Sequence, residues 1–451
     1  MEKLPQELIL EIFEHLEVTD LINLSKINTR FKEIVRSSPR KWKFNLKFDK
    51  KGKIESERTQ RFGQLTVKHF NPRSHQPALQ ICGSNITSIT FTGSVVTFPF
   101  AGTEIKYPDI AMILRICQNL QHVKFENLIV WPEVIKHMPQ NNGIHVEIIE
   151  SSSCILDLFL KCRVSALWIT SKDGEYGTGI RGFLRSQPYL KTILCQGQKV
   201  LDLFYAMGNS YGENYEALPF QLKILSMRDV YFKPYYMDIL MPSASSLTYL
   251  TIADIDPLWQ HHLLGDFIAK CSNLEELSLR NFAFLRLKPP TSITRVTLCD
   301  YVGPAQWISD LTNLKSLVVM SQTHSVQTHA MEFNFAKNSA LENVTISSAV
   351  IKSSLDMPYV KKLKLKDIRD IPDGQELIRN LCRIEEIQVE NCGNVTDKIV
   401  KDIARRANNV RNLSICDGTI TNETLRYVRG CCGNMKDFVM RNVKVEDELV
   451  D

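Results

Sequence analysis

The nearest approach to a phosphate-binding motif is "GTGIRG", residues 177 to 182, a formal G-x-G-x-x-G with Asp202 downstream. Glycines at that spacing let a backbone close on a pyrophosphate at a helix N-terminus, while the acidic residue holds the ribose. Here "SKDGEY" separates the first glycine from the apparent strand Leu167 to Thr170, where a dinucleotide site needs a tight turn directly off the strand. The stretch therefore reads as a loop. There is no G-x-S-x-G elbow, H-E-x-x-H helix or Walker loop, so the usual signatures of acyl transfer, zinc hydrolysis and P-loop chemistry are missing. His261 and His262 stand without companions at zinc spacing and read as solvated surface, and the twelve cysteines are dispersed with no C-x-x-C pair. The expectation is a non-catalytic chain with no metal and no cofactor.

Charge chemistry offers slightly more. "RKWKFNLKFDKKGK", residues 40 to 53, alternates Trp42, Phe44, Leu46 and Phe48 with lysines, so a strand here has one apolar and one basic face. Its expected role is to cap the larger region C-terminal to it, with lysines guarding an edge strand from stray pairing. The net charge of +5 over 451 residues is too small to argue for a nucleic-acid partner. Hydrophobic residues at 44% and charged residues at 23% are ordinary for a globular chain. Charges or prolines interrupt every apolar run, and Glu7, Glu11 and Glu14 replace the apolar stretch of a secretory signal. A cytoplasmic or nuclear protein that does not enter membranes is expected.

The elements behind these residues are set by a repeat. "NLEELSL" places Leu274, Leu277 and Leu279 in an L-x-x-L-x-L frame, which recurs with Leu222, Leu225 and Met227 and with Leu247, Leu250 and Ile252. It returns from Ile293, Leu314, Leu341, Val360, Ile384, Val410 and Met435, and upstream from Ile86, Leu120, Val164 and Leu190, less clearly near Phe62. Most neighbouring starts lie about 19 to 34 residues apart, as in leucine-rich repeats, where each unit gives one short strand to a parallel sheet. Residues 141 to 151 fit poorly, so a repeat there is irregular or absent. Cys117, Cys271 and Cys432 each stand three residues before a frame's first apolar residue ("CQNL", "CSNL", "CGNM"), a packing slot for a buried thiol. With "VENCGNVTD" at 389 to 397, the pattern resembles the cysteine-containing leucine-rich repeats. Residues between the framed apolars then line a concave sheet at alternate positions. Those residues are Trp168, Arg228, Tyr249, Arg280, a lysine row (Lys362, Lys364, Lys366) and, one repeat on, Glu386 and Glu390. They form either a recognition face, with the lysines meeting an acidic segment, or a solvated face of weak ion pairs.

The first residues are of another kind. "LPQELILEIFEHL", residues 4 to 16, reads as a helix on which Leu8, Ile9, Ile12, Phe13 and Leu16 cover roughly 140° of arc, wider than the stripe one small core needs. "DLINLSKI", capped by Thr19 or Asp20, and "NTRFKEIVRSS" give two more short helices before Pro39 and Trp42. Residues 4 to 42 resemble an F-box, matching at Leu4, Pro5, Glu7, Leu8, Ile12, Leu16, Asp20, Leu21, Leu24, Ile27, Phe31 and Trp42. Asn28 departs where a small residue is common, and Phe31 where tryptophan is. The resemblance implies binding to the Skp-type adaptor of Skp–cullin–F-box ubiquitin ligases. It assigns the contact to Leu4, Pro5, Leu8, Ile9, Leu21, Leu24 and Ile27.

The expected fold class is α/β: an N-terminal three-helix F-box at residues 1–45, then a curved leucine-rich-repeat solenoid with a parallel concave sheet over 46–451. The first clear repeat is expected near 62–86 and the last near 435–445. The expected function is a substrate-recognition adaptor, holding a target protein and, through the Skp-type adaptor, a cullin scaffold. The alternatives are a structural or regulatory interaction scaffold outside any ligase, or a sensor of a small ligand such as an inositol phosphate.

Overall fold

The computed structural model describes residues 4–16, 18–37, 44–48, 54–58, 63–93, 105–128, 130, 142–170, 179–197, 219–229, 235–254, 261–281, 287–301, 306–321, 335, 337–348, 355–368, 378–393, 395–406 and 409–447. The chain forms two compact units, Met1–Leu222 and Lys223–Asp451. No helix among the described residues is long and apolar enough to cross a membrane.

The first unit opens with three helices, α1 (Gln6–Glu14), α2 (Val18–Ile27) and α3 (Thr29–Ser37). Pro5 sits at the N-cap of α1, where its carbonyl accepts from Ile9 N at 3.2 Å. Helix α2 begins at Val18, so Thr19 and Asp20 lie in its first turn rather than before it, and Asp20 faces the positive end of the helix dipole. Phe13 meets Phe31 edge to face at 5.8 Å, tying α1 to α3. Ile9, Leu21 and Ile34 complete this small core. The Arg30 guanidinium donates to the Leu4 carbonyl at 2.8 Å, closing the bundle's ends.

Seven strands of this unit run parallel in the order β1 (Phe44–Phe48), β3 (Gln64–Val67), β4 (Ser88–Thr92), β5 (His122–Glu126), β6 (Asn142–Ile149), β7 (Arg163–Thr170) and β8 (Thr192–Gln196). Strand β2 (Ile54–Arg58) lies antiparallel on β1. Strand β1 is thus paired on both sides, so its Lys47 guards no edge, and the other lysines of the stretch lie outside the described residues; among the described residues the outer strand is β2, "IESER". Trp42 lies outside the described residues, while Leu46 and Phe48 are fully buried. Helices α4 (Pro72–Cys82) and α5 (Tyr107–Ile116) return the chain between strands. Helices α2 and α3 both touch α4, which seats the N-terminal helices on the region that follows. At Gly63, φ is +30° and a Cβ would meet the Asn85 carbonyl oxygen at 1.8 Å, so glycine is required where β3 starts.

Within the stretch where the frame is weak, Asn142–Ile149 form a complete strand. β6 pairs with both β5 and β7, and Ile144, Val146 and Ile148 fill the interior positions. Its register shifts between Asn142 and His145, beside Gly143 at φ +75°, which replaces the L-x-x-L spacing by plain alternation.

In the second unit β9 (Ile224–Arg228), β10 (Tyr249–Ala253), β11 (Glu276–Arg280), β12 (Arg295–Cys299), β13 (Ser316–Met320) and β14 (Asn343–Ser347) pair in sequence, all parallel. The short pair β15 (Leu355–Asp356) and β17 (Ile378–Arg379) stands apart, while β16 (Lys362–Lys366), β18 (Glu386–Gly393), β19 (Asn412–Thr421) and β20 (Asp437–Arg441) extend the main ladder. Strand β21 (Lys444–Glu446) pairs with the end of β19. Framed residues stack in columns: Leu225, Leu250, Leu277, Val296, Leu317 and Val344 are register partners and are all buried. Burying such a side chain contributes about 1.5–3 kcal/mol, and a column of them holds this sheet.

Two devices recur between strands. The asparagine before a frame reaches back to the segment leading into the preceding strand: Asn119 Nδ2 donates to Ser84 O at 2.7 Å, Asn273 to Ser245 O at 2.7 Å, Asn313 to Thr291 O at 2.9 Å and Asn409 to Cys382 O at 2.7 Å. At the other end the residue after the strand register takes a left-handed conformation, at Asn127, Asp229, Asp254, Asn281, Asp300, Ser348, Asp367, Asn391, Asp417 and Asn442. Asn and Asp tolerate that region and bridge the ends of neighbouring strands, as Asn442 Nδ2 does to Asp417 Oδ1 at 3.1 Å. Cys117 and Cys271 are fully buried and Cys432 nearly so, as expected of a packing slot.

Candidate functional site

On the N-terminal helices, Leu8 is 46% exposed and Ile27 77% exposed, with Pro5 exposed and Leu4 and Leu24 half-buried. Two of the residues assigned to an adaptor are placed otherwise. Ile9 is 0% and Leu21 2% exposed, so they form the module's own core and have no surface to offer without unfolding it. The reason is geometric: Ile9 follows Leu8 by one residue, about 100° round the helix, which turns it away from the solvent face that Leu8 occupies. Of the seven residues, Pro5, Leu8 and Ile27 are exposed and Leu4 and Leu24 half-buried, so these five keep surface on the outside of the module. Two exposed large apolar side chains in so small a module are what a covered face requires.

On the sheets, the named polar residues all lie on strands, with Trp168 in the first unit and the others in the second. Trp168 is half-buried, in register between Glu147 and Leu194. Tyr249 is half-buried between Ile224 and Glu276, Arg228 is exposed, and Arg280 Nε stands 3.4 Å from Asp254 Oδ2. The column between them is Ser226, Thr251, Ser278 and Thr297, a track of small hydroxyl side chains.

The lysine row is already partnered. Lys362 Nζ lies 2.7 Å from Glu386 Oε2, Lys364 Nζ 2.9 Å from Glu390 Oε2, and Lys366 Nζ 2.6 Å from Glu390 Oε1. The hydrogen bond to Glu390 raises the Lys366 ammonium above its usual range, and that from Lys366 lowers the Glu390 carboxyl. An acidic ligand would have to displace these carboxylates, so the row is not a ready anion site. Basic charge gathers instead at the strands' N-terminal ends, where Lys361, Arg383, Arg411 and Lys436 line a cleft with Asn409, Asn434, Cys382 and Glu385. Glu385 lies 3.7 Å from Arg411, and Lys361 bonds Glu342 at 2.6 Å, so the cations outnumber the acids. Sequence reading missed this cleft because it weighed strand residues alone. Lys361, Arg411 and Lys436 each stand directly after a framed residue (Val360, Val410, Met435), and a column drawn there reveals it.

Of the remaining chemical candidates, residues 179–185 of the glycine-rich stretch form a helix, and 171–178 lie outside the described residues, as do the side chains of His261 and His262. A grouping that sequence spacing did not suggest joins Ser88, His122 and Glu147. Ser88 Oγ lies 3.1 Å from His122 Nδ1, and His122 Nε2 lies 2.9 Å from Glu147 Oε1. Burial would raise the Glu147 carboxyl, but the hydrogen bond from His122 and nearby positive charge outweigh it and hold it below the usual range. Nucleophile, base and orienting acid have this connectivity, yet acyl transfer also needs main-chain donors for the oxyanion. The N–H groups of Ser88, His122 and His145 already donate to the carbonyls of Gly63, Thr87 and Gln121.

Residues 1–43 match the model of the F-box domain. Comparison with curated proteins gave no match. The chain therefore carries an F-box domain at its N-terminus, joined to a mixed α/β region with a large, mostly parallel sheet. F-box domains bind Skp-type adaptors within cullin complexes.

Proposed function

We propose that this chain is the target-recognition subunit of a Skp–cullin–F-box ubiquitin ligase. The F-box binds the Skp-type adaptor, and the remaining residues form a leucine-rich-repeat solenoid that holds a target protein. The observation that carries the adaptor half is the F-box match together with the exposed Leu8, Ile27 and Pro5 on the helices it covers. The solenoid is supported by the residue-for-residue parallel register of the framed strands and the asparagine bridges between repeats. Its contribution is proximity. Holding a target beside a ubiquitin-loaded enzyme raises the local concentration of target lysines, and the chain itself carries out no bond-making step. Trp168 on the strands of the first unit and Tyr249, Arg228 and Arg280 on those of the second offer target contacts within their own units, and the cleft of Lys361, Arg383, Arg411 and Lys436 in the second unit takes an acidic segment of the target. A cytoplasmic or nuclear site of action follows from the ligase's needs.

The test is co-purification with a Skp-type adaptor and its cullin, using the intact chain and one lacking residues 1–43. Retention of both partners by the intact chain alone supports the proposal. Equal recovery, or none, with both chains refutes it and leaves an interaction scaffold outside the ligase.

A further inference from the structure

Three side chains on neighbouring strands of the first unit converge at a point that the adaptor reading does not use. His122 on β5 and His145 on β6 are register partners, with ring centroids 5.0 Å apart. Glu147 lies two residues along β6, hence on the same face of the sheet. Its Oε1 stands 2.9 Å from His122 Nε2 and 3.9 Å from His145 Nε2. One ligand atom from each of the three residues lies within 4.8 Å of the other two. We infer that His122, His145 and Glu147 bind a divalent transition-metal ion, zinc by the chemistry of the set.

Two imidazole nitrogens and one carboxylate oxygen are borderline donors suited to zinc, and three protein ligands leave a fourth position for water or an incoming side chain. Ligand bonds of about 2.1 Å in a tetrahedron put donor atoms roughly 3.4 Å apart. The two contacts of 2.9 and 3.9 Å straddle that value and all three donor atoms lie within 4.8 Å of one another, so side-chain turns that close the gaps by up to about 1.4 Å suffice. The ligands stand on interior strands whose main chains are paired on both sides, which fixes their Cβ positions. Ser88 Oγ, 3.1 Å from His122 Nδ1, is the outer partner that metal-bound histidines need. Its hydroxyl accepts as readily as it donates, so His122 can carry its proton on Nδ1 and turn a bare Nε2 to the ion. Two neighbours bear on the outcome. Lys124 is the register partner of Glu147, but its ammonium pairs with Glu126 at 3.3 Å. Trp168, across β7, walls the other side in register with Glu147.

The competing account is a hydrogen-bonded cluster that takes no ion. The two separate in a titration of the full chain, stripped with chelator, with Zn²⁺ alone, read by calorimetry, and with Co²⁺, read by visible d–d absorption. Variants are His145→Ala, Glu147→Gln and Ser88→Ala, each checked by thermal unfolding in metal-free buffer. The parent is expected to bind one equivalent of zinc more than His145→Ala, and Glu147→Gln to weaken that equivalent at least tenfold. Ser88→Ala should keep the stoichiometry and lose roughly tenfold in affinity, as outer-partner losses do. If His145→Ala fails to fold, the near-isosteric Glu147→Gln and Ser88→Ala, which removes a single half-buried hydroxyl, decide. Zinc stoichiometry and affinity unchanged across the folded variants, or no binding by the parent, overturns the proposal.

Discussion

Replacing Leu8 by aspartate separates the contact face of the F-box from its core. Leu8 is 46% exposed in the free chain, so about half its apolar surface remains for a partner to bury. A whole leucine contributes roughly 1.5–3 kcal/mol on burial, so the remaining half contributes about 1 kcal/mol. A carboxylate trapped without a partner in the closed interface costs about 2 kcal/mol more. The total near 3 kcal/mol weakens adaptor binding by roughly 150-fold. Leu8→Ala, which removes only the apolar part, should lose about fivefold. The fold should not notice either change. Position 8 is in the first turn of α1, where aspartate interacts favourably with the helix dipole, and the side chain already meets solvent. Binding is measured by titration calorimetry against purified Skp-type adaptor, with thermal unfolding of each variant alongside. Ile9→Ala supplies the contrast: its side chain is fully buried, so it should destabilise the chain by about 2–5 kcal/mol through the cavity it leaves. If Leu8→Asp binds within twofold of the parent while remaining folded, the face assigned to the adaptor is wrong.

Asp397 carries a pH-dependent share of stability. It is buried, and its Oδ1 accepts from Thr421 N at 2.7 Å and Thr421 Oγ1 at 2.9 Å, with Lys401 3.5 Å away. Burial pushes its carboxyl up, but the hydrogen bonds from Thr421 and Thr424 and the Lys401 charge prevail and hold it below its usual 3.8. Its stabilisation is therefore complete above the unfolded value and is lost as pH falls through the lower folded one. Asp397→Asn should cost about 1–2 kcal/mol at neutral pH by urea unfolding, with the gap to the parent closing below about pH 4; a gap that persists unchanged at acid pH refutes this. The cysteines should divide by burial. Cys382 and Cys431 are exposed, whereas burial pushes the thiols of Cys82, Cys195 and Cys271 up to about 12. A thiol reagent at mild pH should label the first two in the native state and the other three only on unfolding, read by peptide mass mapping.

Much of this was legible in single repeats, and what was not depended on neighbouring ones. The L-x-x-L-x-L frame identified strands because two of its leucines alternate into one face, and the slot at Cys117, Cys271 and Cys432 identified a buried position by recurrence. Both signals are written along the chain. The ionic state of the lysine row is not, since Lys364 and Lys366 converge on one Glu390 only once register and side-chain reach are known. The same holds for Ile9 and Leu21, whose apolar character is shared by core and contact positions; only the helix-to-helix geometry sorts them.

The clearest case is the pairing of His122 with His145. Their separation in sequence matches no metal spacing, and β6, which carries His145, lacks the frame because a register shift beside Gly143 alters its phase. In a parallel ladder, side chains about 4.8 Å apart across strands are closer than those on the same face of one strand, which lie roughly 6.6 Å apart. Chemistry on such a face is therefore assembled by columns drawn across repeats. An imperfect repeat breaks the column in the written sequence without breaking it in space. A face built this way can change its polar residues by single substitutions down a column while its buried frame stays intact.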